Sequence, residues 1–304
     1  SGEVAFSLSI TPDRPIDARI QGIALAHGGD AVFHAVEGDL PANVRGLLED
    51  PRVQKWTTWS RRDFVVLAEA GIEVGGRVLD ASLAAYVLSP GRRGSSVREL
   101  AIEEIGLPEN ADLPNEEGTQ VSLLADQDGD RHCREAAVLV RLAPRLQARL
   151  EADGLMDLFL DLEMPLSRIL AVIERAGVLV DREALRALSV ELGPEIEKLA
   201  QRIYALAGRP FNILSPVQLR QILFEEMGLE GGRKTEKTKT LSTADDVLEE
   251  LAKDHEFPRL ILEYRGITKL KSTYVDALPE MINARTGRIH ASFRQNIAAT
   301  GRLS

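Results

Sequence analysis

The sequence predicts an α/β domain built on a mixed sheet, then a mainly α-helical domain and a short β segment at the end. Three observations carry that expectation. The first 150 residues open with three strand-like runs and then alternate helix-like with strand-like ones. From about residue 153 the long runs place apolar residues at i, i+3, i+4 and i+7, the spacing of one helix face. Near the end, the turn signal NARTGR leads into RIHASFRQN, which reads as a strand.

VAFSLSI (4–10) alternates apolar and small polar residues, as a half-buried strand does. RIQGIALAHG and DAVFHAV follow as strands two and three, with HGGD (27–30) as a tight hairpin. PANVRGLLED reads as a short helix with Pro41 near its start, and VQKWTT as another strand. SRRDFVVLAEAG is a helix with Ser60 as the expected cap and Gly71 as its stop. DASLAAYVL, opened by Asp80, and SSVRELAIEEIG are two more helices. Residues 107–125 are acidic and turn-rich, a surface loop, and a long helix runs from about 129 to 152.

EMPLSRILAVIERAG, REALRALSVELGPEIEKLAQRIYALAG and SPVQLRQILFEEMG are amphipathic helices. The last opens with Ser215-Pro216-Val217-Gln218, a capping-box spacing with Pro at the first helical position. GGRKTEKTKT (231–240) is a basic loop, and PRLILEYRGITKLKSTYVDALPEMI is one longer helix. Its expected core stripe is Leu260, Ile267, Leu270, Tyr274, Leu278 and Met281. Two domains are expected, with a boundary at about residue 152 and helix running through it.

Cys133 is the only cysteine, which excludes an internal disulfide and a thiolate zinc site and favours a reducing, cytoplasmic compartment. No apolar run approaches the roughly 18 residues a membrane-spanning helix needs, and SGEVAFSLSI lacks a secretory signal's basic start. The net charge of -10 argues against a nucleic-acid partner until its distribution is read. Residues 1–150 carry 16 basic and 23 acidic side chains, whereas residues 259–304 carry eight basic and three acidic. Because screening leaves nearby charges dominant, a basic end on an acidic chain can grip phosphates.

PFNILSPVQLRQILFEEMGL, KTEKTKTLSTADDVLEELA and LILEYRGITKLKSTYVDALPEMINARTGRIHASFRQNIAATGRLS closely resemble the thumb and opening palm of the bacterial DNA polymerase I, or family A, enzymes. RRDFVVLAEAGIEV and LDASLAAYVLSP resemble the RNase H-like 3′–5′ exonuclease domain that precedes the thumb in that family. The resemblance implies an exonuclease-type domain over 1–152, thumb and connecting helices over 153–285, and the start of the palm over 286–304. It also implies that the polymerase carboxylates, with their Mg²⁺, lie outside residues 1–304.

The family's exonuclease holds two divalent ions with an Asp-x-Glu on the first strand, an Asp on a helix and a Tyr-x-x-x-Asp near the end. Carried over by position, these fall on Ser7 and Ser9, on Asp63, and on His132 and Ala136. Two dications about 4 Å apart need several carboxylates, and hydroxyls and a methyl group cannot offset their repulsion. The domain is therefore expected not to cut. The remaining acids Glu3, Asp13, Asp80 and Glu135 are the candidates for a rearranged, active site of the same exonuclease type. Asp63 near a helix start and Asp80 as an N-cap also have purely structural readings.

In the longer helix Arg265, Lys269, Ser272 and Thr273 form a basic, hydroxyl-bearing stripe without a carboxylate, suited to phosphate oxygens. The resemblance places this stripe along duplex DNA, adds Thr235, Lys237, Asn212 and Ser215 as backbone contacts, and puts Thr300 and Arg302 of ATGRLS near the primer 3′ end. It implies primer–template duplex and deoxynucleoside triphosphates as partners, a monomer, and a cytoplasmic, nucleoid-associated location. A non-enzymatic DNA-binding adaptor is the alternative from another class.

Overall fold

β1 (Glu3–Thr11), β2 (Arg19–His27) and β3 (Asp30–Ala35) form an antiparallel meander, and the β2–β3 turn uses Gly28 and Gly29 at φ +61° and +108°. The computed structural model describes residues 2–12, 14–90, 97–108, 125–230 and 241–304. Most of the acidic loop and all of the 231–240 loop lie outside these residues. After the meander come α1 (Ala42–Glu49), β4 (Gln54–Thr57), α2 (Ser60–Glu69), β5 (Val78–Asp80), α3 (Ala81–Leu88), α4 (Val97–Ile105) and α5 (Ala125–Ala152). The sheet order is β3-β2-β1-β4-β5, with β4 parallel to both β1 and β5, so the sheet is mixed as expected.

The first strand departs from its expected half-exposure. β1 is central, and every residue from Val4 to Ser9 is buried. Val4, Phe6 and Leu8 pack with Val44 and Leu48 of α1 and Val66 and Leu67 of α2. The opposite face carries Ala5, with Trp56 and Leu79, against Leu83 of α3, Leu100 of α4 and Leu139, Leu142 and Leu146 of α5. Helices on both faces bury the small polar residues together with the large apolar ones. On β4, Lys55 is wholly buried, and its ammonium donates to the carbonyls of Asp50, Val53 and Gly75 at 2.8, 3.0 and 2.8 Å. A Cβ at Gly75 would lie 2.1 Å from the Glu49 carbonyl, so glycine is required there.

One local expectation changes, and one strand is added. Ser60 is the first residue of α2 rather than its cap, and its hydroxyl pairs with that of Ser167 at 2.7 Å. β5 is too short to show a period in the sequence. Asp80 does cap α3, accepting from the Leu83 amide at 3.0 Å.

The chain divides into two compact units, Ser1–Gly177 with His290–Ser304, and Val178–Ile289. Residues 153–177 therefore belong with the sheet, not with the helical half. A π-type turn at Leu158–Glu163 leads into α6 (Met164–Ala176); Phe159 is buried in the sheet's core, and α6 packs on α2. Of RIHASFRQN, only Arg288–Ile289 pairs as a strand, β7; residues 290–298 belong to the first unit, where side chains rather than a ladder take up their polar groups.

In the second unit β6 (Val178–Leu179) pairs with β7 and closes the unit at its ends. Between them run α7 (Arg182–Ala207), α8 (Pro216–Arg220), a π-type turn at Gln221–Glu226, α9 (Asp245–Leu251) and α10 (Glu256–Lys269). Asp181 caps α7 and Ser215 caps α8. Leu199, Ile203, Phe211, Leu219, Leu223, Leu248, Phe257 and Ile261 form the core. After Lys269 the long helix is not regular: Leu270–Val275 is a π-type turn and Leu278–Met281 a 3₁₀ turn. A π turn inserts a residue and rotates the phase. The expected stripe therefore fails beyond Ile267, with Leu270, Tyr274 and Met281 exposed and Val275 buried instead.

Candidate functional site

Ser7 and Ser9 lie on the β1 face that meets α5, opposite Ala24 and Gly22 of β2. A Cβ at Gly22 would lie 2.0 Å from the Phe33 ring, so glycine leaves room for that ring, which stacks on His132 of α5 at 6.4 Å between centroids. Ser7 donates to Glu135 Oε2 at 2.5 Å, and Thr58 donates to Oε1 at 2.8 Å. With its own proton so committed, the Ser7 oxygen accepts from His132 Nδ1 at 2.7 Å. Ala136 is fully buried among Ala24, Ala26 and Phe33, an apolar setting with no place for a carboxylate.

Asp63 projects from the first turn of α2 and is 1% exposed. Thr57 donates to its Oδ2, and Arg62 approaches Oδ1 through Nη2 at 2.8 Å and Nε at 3.0 Å. Both oxygens are thus engaged, and an internal guanidinium neutralises the charge. Burial pushes the Asp63 carboxyl above its ordinary range, against the pull of Arg62 and Thr57. For Glu135 burial is again the largest influence, yet the bonds from His132, Ser7 and Thr58 together win and hold it below the usual range. Asp80 is raised to about 6 by burial, against the Leu83 and Ser60 donors.

These residues do not fit a pair of divalent ions. Of the four positions that the resemblance assigns to acids, three carry hydroxyl or methyl groups, and at the fourth Arg62 engages Asp63. The rearranged set fares no better. Glu3 accepts from the Trp56 indole at 2.6 Å, Asp80 caps α3 and binds the Ser60 amide, and Glu135 is saturated as described. Asp13 lies outside the described residues. Among the described residues no three His, Cys, Asp or Glu side chains converge as metal ligands. Sequence reasoning missed Arg62, Thr57 and Thr58; only the Arg-Asp adjacency in SRRD was there to be seen.

The basic stripe is divided by the structure. Lys269 and Thr273 are exposed. Arg265 instead donates to the Thr243 carbonyl at 2.8 Å and to Asp245 at 2.9 Å, so a carboxylate does meet the stripe. Ser272 is exposed but bonds back to the Thr268 carbonyl at 2.8 Å. Asn212 Oδ1 accepts from the Leu214 amide at 3.1 Å, and Ser215 caps α8, so both shape the turn before that helix. Thr235 and Lys237 lie outside the described residues. Thr300 and Arg302 are exposed, in the 290–304 segment of the first unit.

Residues 6–106 match the family model of the DNA polymerase I ribonuclease H-like domain, and residues 182–304 that of DNA polymerase family A. DNA polymerase I of Chloroflexus aurantiacus is 37% identical over 99% of this chain and 34% of its own length. That of Pseudomonas aeruginosa is 39% identical over 99% of this chain and 35% of its own. The POL domain of Pol1 from M. smegmatis, solved with DNA primer-template and dNTP, superposes with a TM-score of 0.85 at 29% identity, covering all of this chain and 51% of that one. The chain spans about a third of the length of these curated relatives. No helix among the described residues is long and apolar enough to cross a membrane.

Proposed function

Because this chain belongs to the family A DNA polymerases of the DNA polymerase I type, we propose that it is the non-cutting exonuclease-like and thumb portion of an enzyme that extends primer 3′ ends with deoxynucleoside triphosphates in replication and repair. Residues 1–177 serve as scaffold, 178–289 as thumb with its connecting helices, and 290–304, packed in the first unit, open the palm. The observation that carries the loss of cutting is Asp63, the one acidic ligand position retained, with both oxygens taken by Thr57 and Arg62. Neutral hydroxyls at the other positions supply no charge to hold two dications.

Lys269, Ser272 and Thr273, with Thr235 and Lys237 of the basic loop and Asn212 and Ser215, contact the duplex backbone. Arg265 acts by anchoring the start of α9. Thr300 and Arg302 meet the primer strand near its end; an Arg fork suits minor-groove acceptors or phosphate. The Mg²⁺ that this chemistry requires is held by carboxylates outside this chain. The protein works as a cytoplasmic, nucleoid-associated monomer. A primer with a mismatched 3′ end, incubated with the product of the complete reading frame and Mg²⁺ or Mn²⁺, tests both halves of the reading. The expected result is no shortening without nucleotides and extension of a matched primer with them. Trimming that disappears in Asp63→Ala overturns the first half, and absence of extension overturns the second.

A further inference from the structure

Residues 294–304 form a closed loop. The Arg294 and Ser304 backbones exchange two hydrogen bonds, at 2.8 and 3.0 Å, and the Gly301 amide bonds to the Ala298 carbonyl at 3.0 Å. Gly301, at φ +75°, makes the turn that leaves Thr300 and Arg302 exposed. The loop's base rests on polar contacts within the exonuclease-like unit. Gln295 donates to Glu163 at 2.8 Å, Asn296 donates to Ser82 Oγ at 2.8 Å, and Tyr86 of α3 donates to the Ala298 carbonyl at 2.7 Å. Just upstream, Glu174 of α6 is 5% exposed and accepts from Arg61 of α2 and from the Phe293 amide, while its own carbonyl meets His290 Nδ1 at 2.7 Å.

None of these side chains lies in the old ligand set, and each holds a segment that has almost no ladder of its own. Five separate contacts converge on one loop and its lead-in. We propose that Tyr86, Ser82, Glu163 and Glu174 are positioning residues for primer contact: they set where the 294–304 loop presents Thr300 and Arg302. The exonuclease-like unit then has a task independent of cutting, as the floor under the primer terminus. This inference rests on the polymerase reading above.

The test is a double-mutant cycle in the product of the complete reading frame, read as kcat/KM for extension of a matched primer. Tyr86→Phe removes one partly buried hydrogen bond and is expected to lower kcat/KM about threefold to tenfold. In an Arg302→Ala background the same change is expected to matter less than about twofold, because its effect passes through the loop. Ser82→Ala repeats the cycle through an independent contact, should Tyr86→Phe disturb folding. Full additivity in both cycles, or unchanged extension in both single variants while Arg302→Ala is slow, overturns the inference and leaves the polymerase reading standing. Unchanged extension in Arg302→Ala removes the loop from primer contact and overturns both the inference and that part of the reading.

Discussion

Asp63, which the resemblance sets at a ligand position, has both carboxylate oxygens already engaged. Arg62, 13% exposed, supplies the positive charge that a metal would bring, and it does so from the adjacent position in the chain. Arg62→Ala leaves a buried carboxylate without its cation, and removing one partner of a buried pair costs about 3 kcal/mol. Urea unfolding followed through the buried Trp56 should register that loss, while the trimming assay stays blank. Asp80 makes a second prediction at this scale, with a definite sign. Its folded value of about 6 stands above the roughly 3.9 of an unfolded aspartate. Between those values the native state holds the extra proton, so stability from this group is present below about pH 4 and lost as pH rises to about 6. The loss amounts to about 3 kcal/mol by linkage, and Asp80→Asn should remove that slope from the stability–pH curve. Glu135 acts in the opposite sense: its lowered value stabilises above the unfolded range and fails as pH falls through its folded value.

The long helix from Glu256 shows how an element can mislead. With the phase set by α10, Tyr274 belongs to the core; with the π-type turn inserted, Val275 does. Val275→Ala should therefore cost about 2 kcal/mol in denaturant unfolding of the helical unit, and Tyr274→Ala no more than about 0.5. Periodicity made most elements legible: the β1–β3 meander, α1 to α3, α6, α7 and the Ser215 cap all lie where pattern and turn residues put them. What stayed hidden depends on contacts distant in sequence. β1 looks half-exposed because its serines are polar, yet α5 covers them. RIHASFRQN looks like a strand because it alternates, yet Glu174, more than a hundred residues earlier, takes the Phe293 amide. The candidate site shares that split. The candidate ligand positions were legible only through the family resemblance, which sets their spacing. The groups that fill the gap come from three separate elements, and only Arg62, beside Asp63 in the chain, leaves a local signal.

Acidic overall yet basic toward its end, the molecule should bind duplex DNA through a few local cations, and so lose affinity as salt rises. In the complete protein, Lys269→Ala should reduce the slope of log K against log salt by about 1, measured by fluorescence anisotropy on a nicked or primed duplex. Arg265→Ala should leave that slope unchanged and instead destabilise the helical unit, because its guanidinium already serves Thr243 and Asp245. Seven of the eight lysines lie beyond position 190, which makes Lys55 the only lysine side chain in the whole front of the protein. Its amine is sealed beneath three carbonyls. A covalent acylating tag recovered at Lys55 can therefore arrive only when the loops that carry Asp50, Val53 and Gly75 open, so the rate of tagging there is a built-in clock for that opening in the exonuclease-like unit, to be read by peptide mass spectrometry.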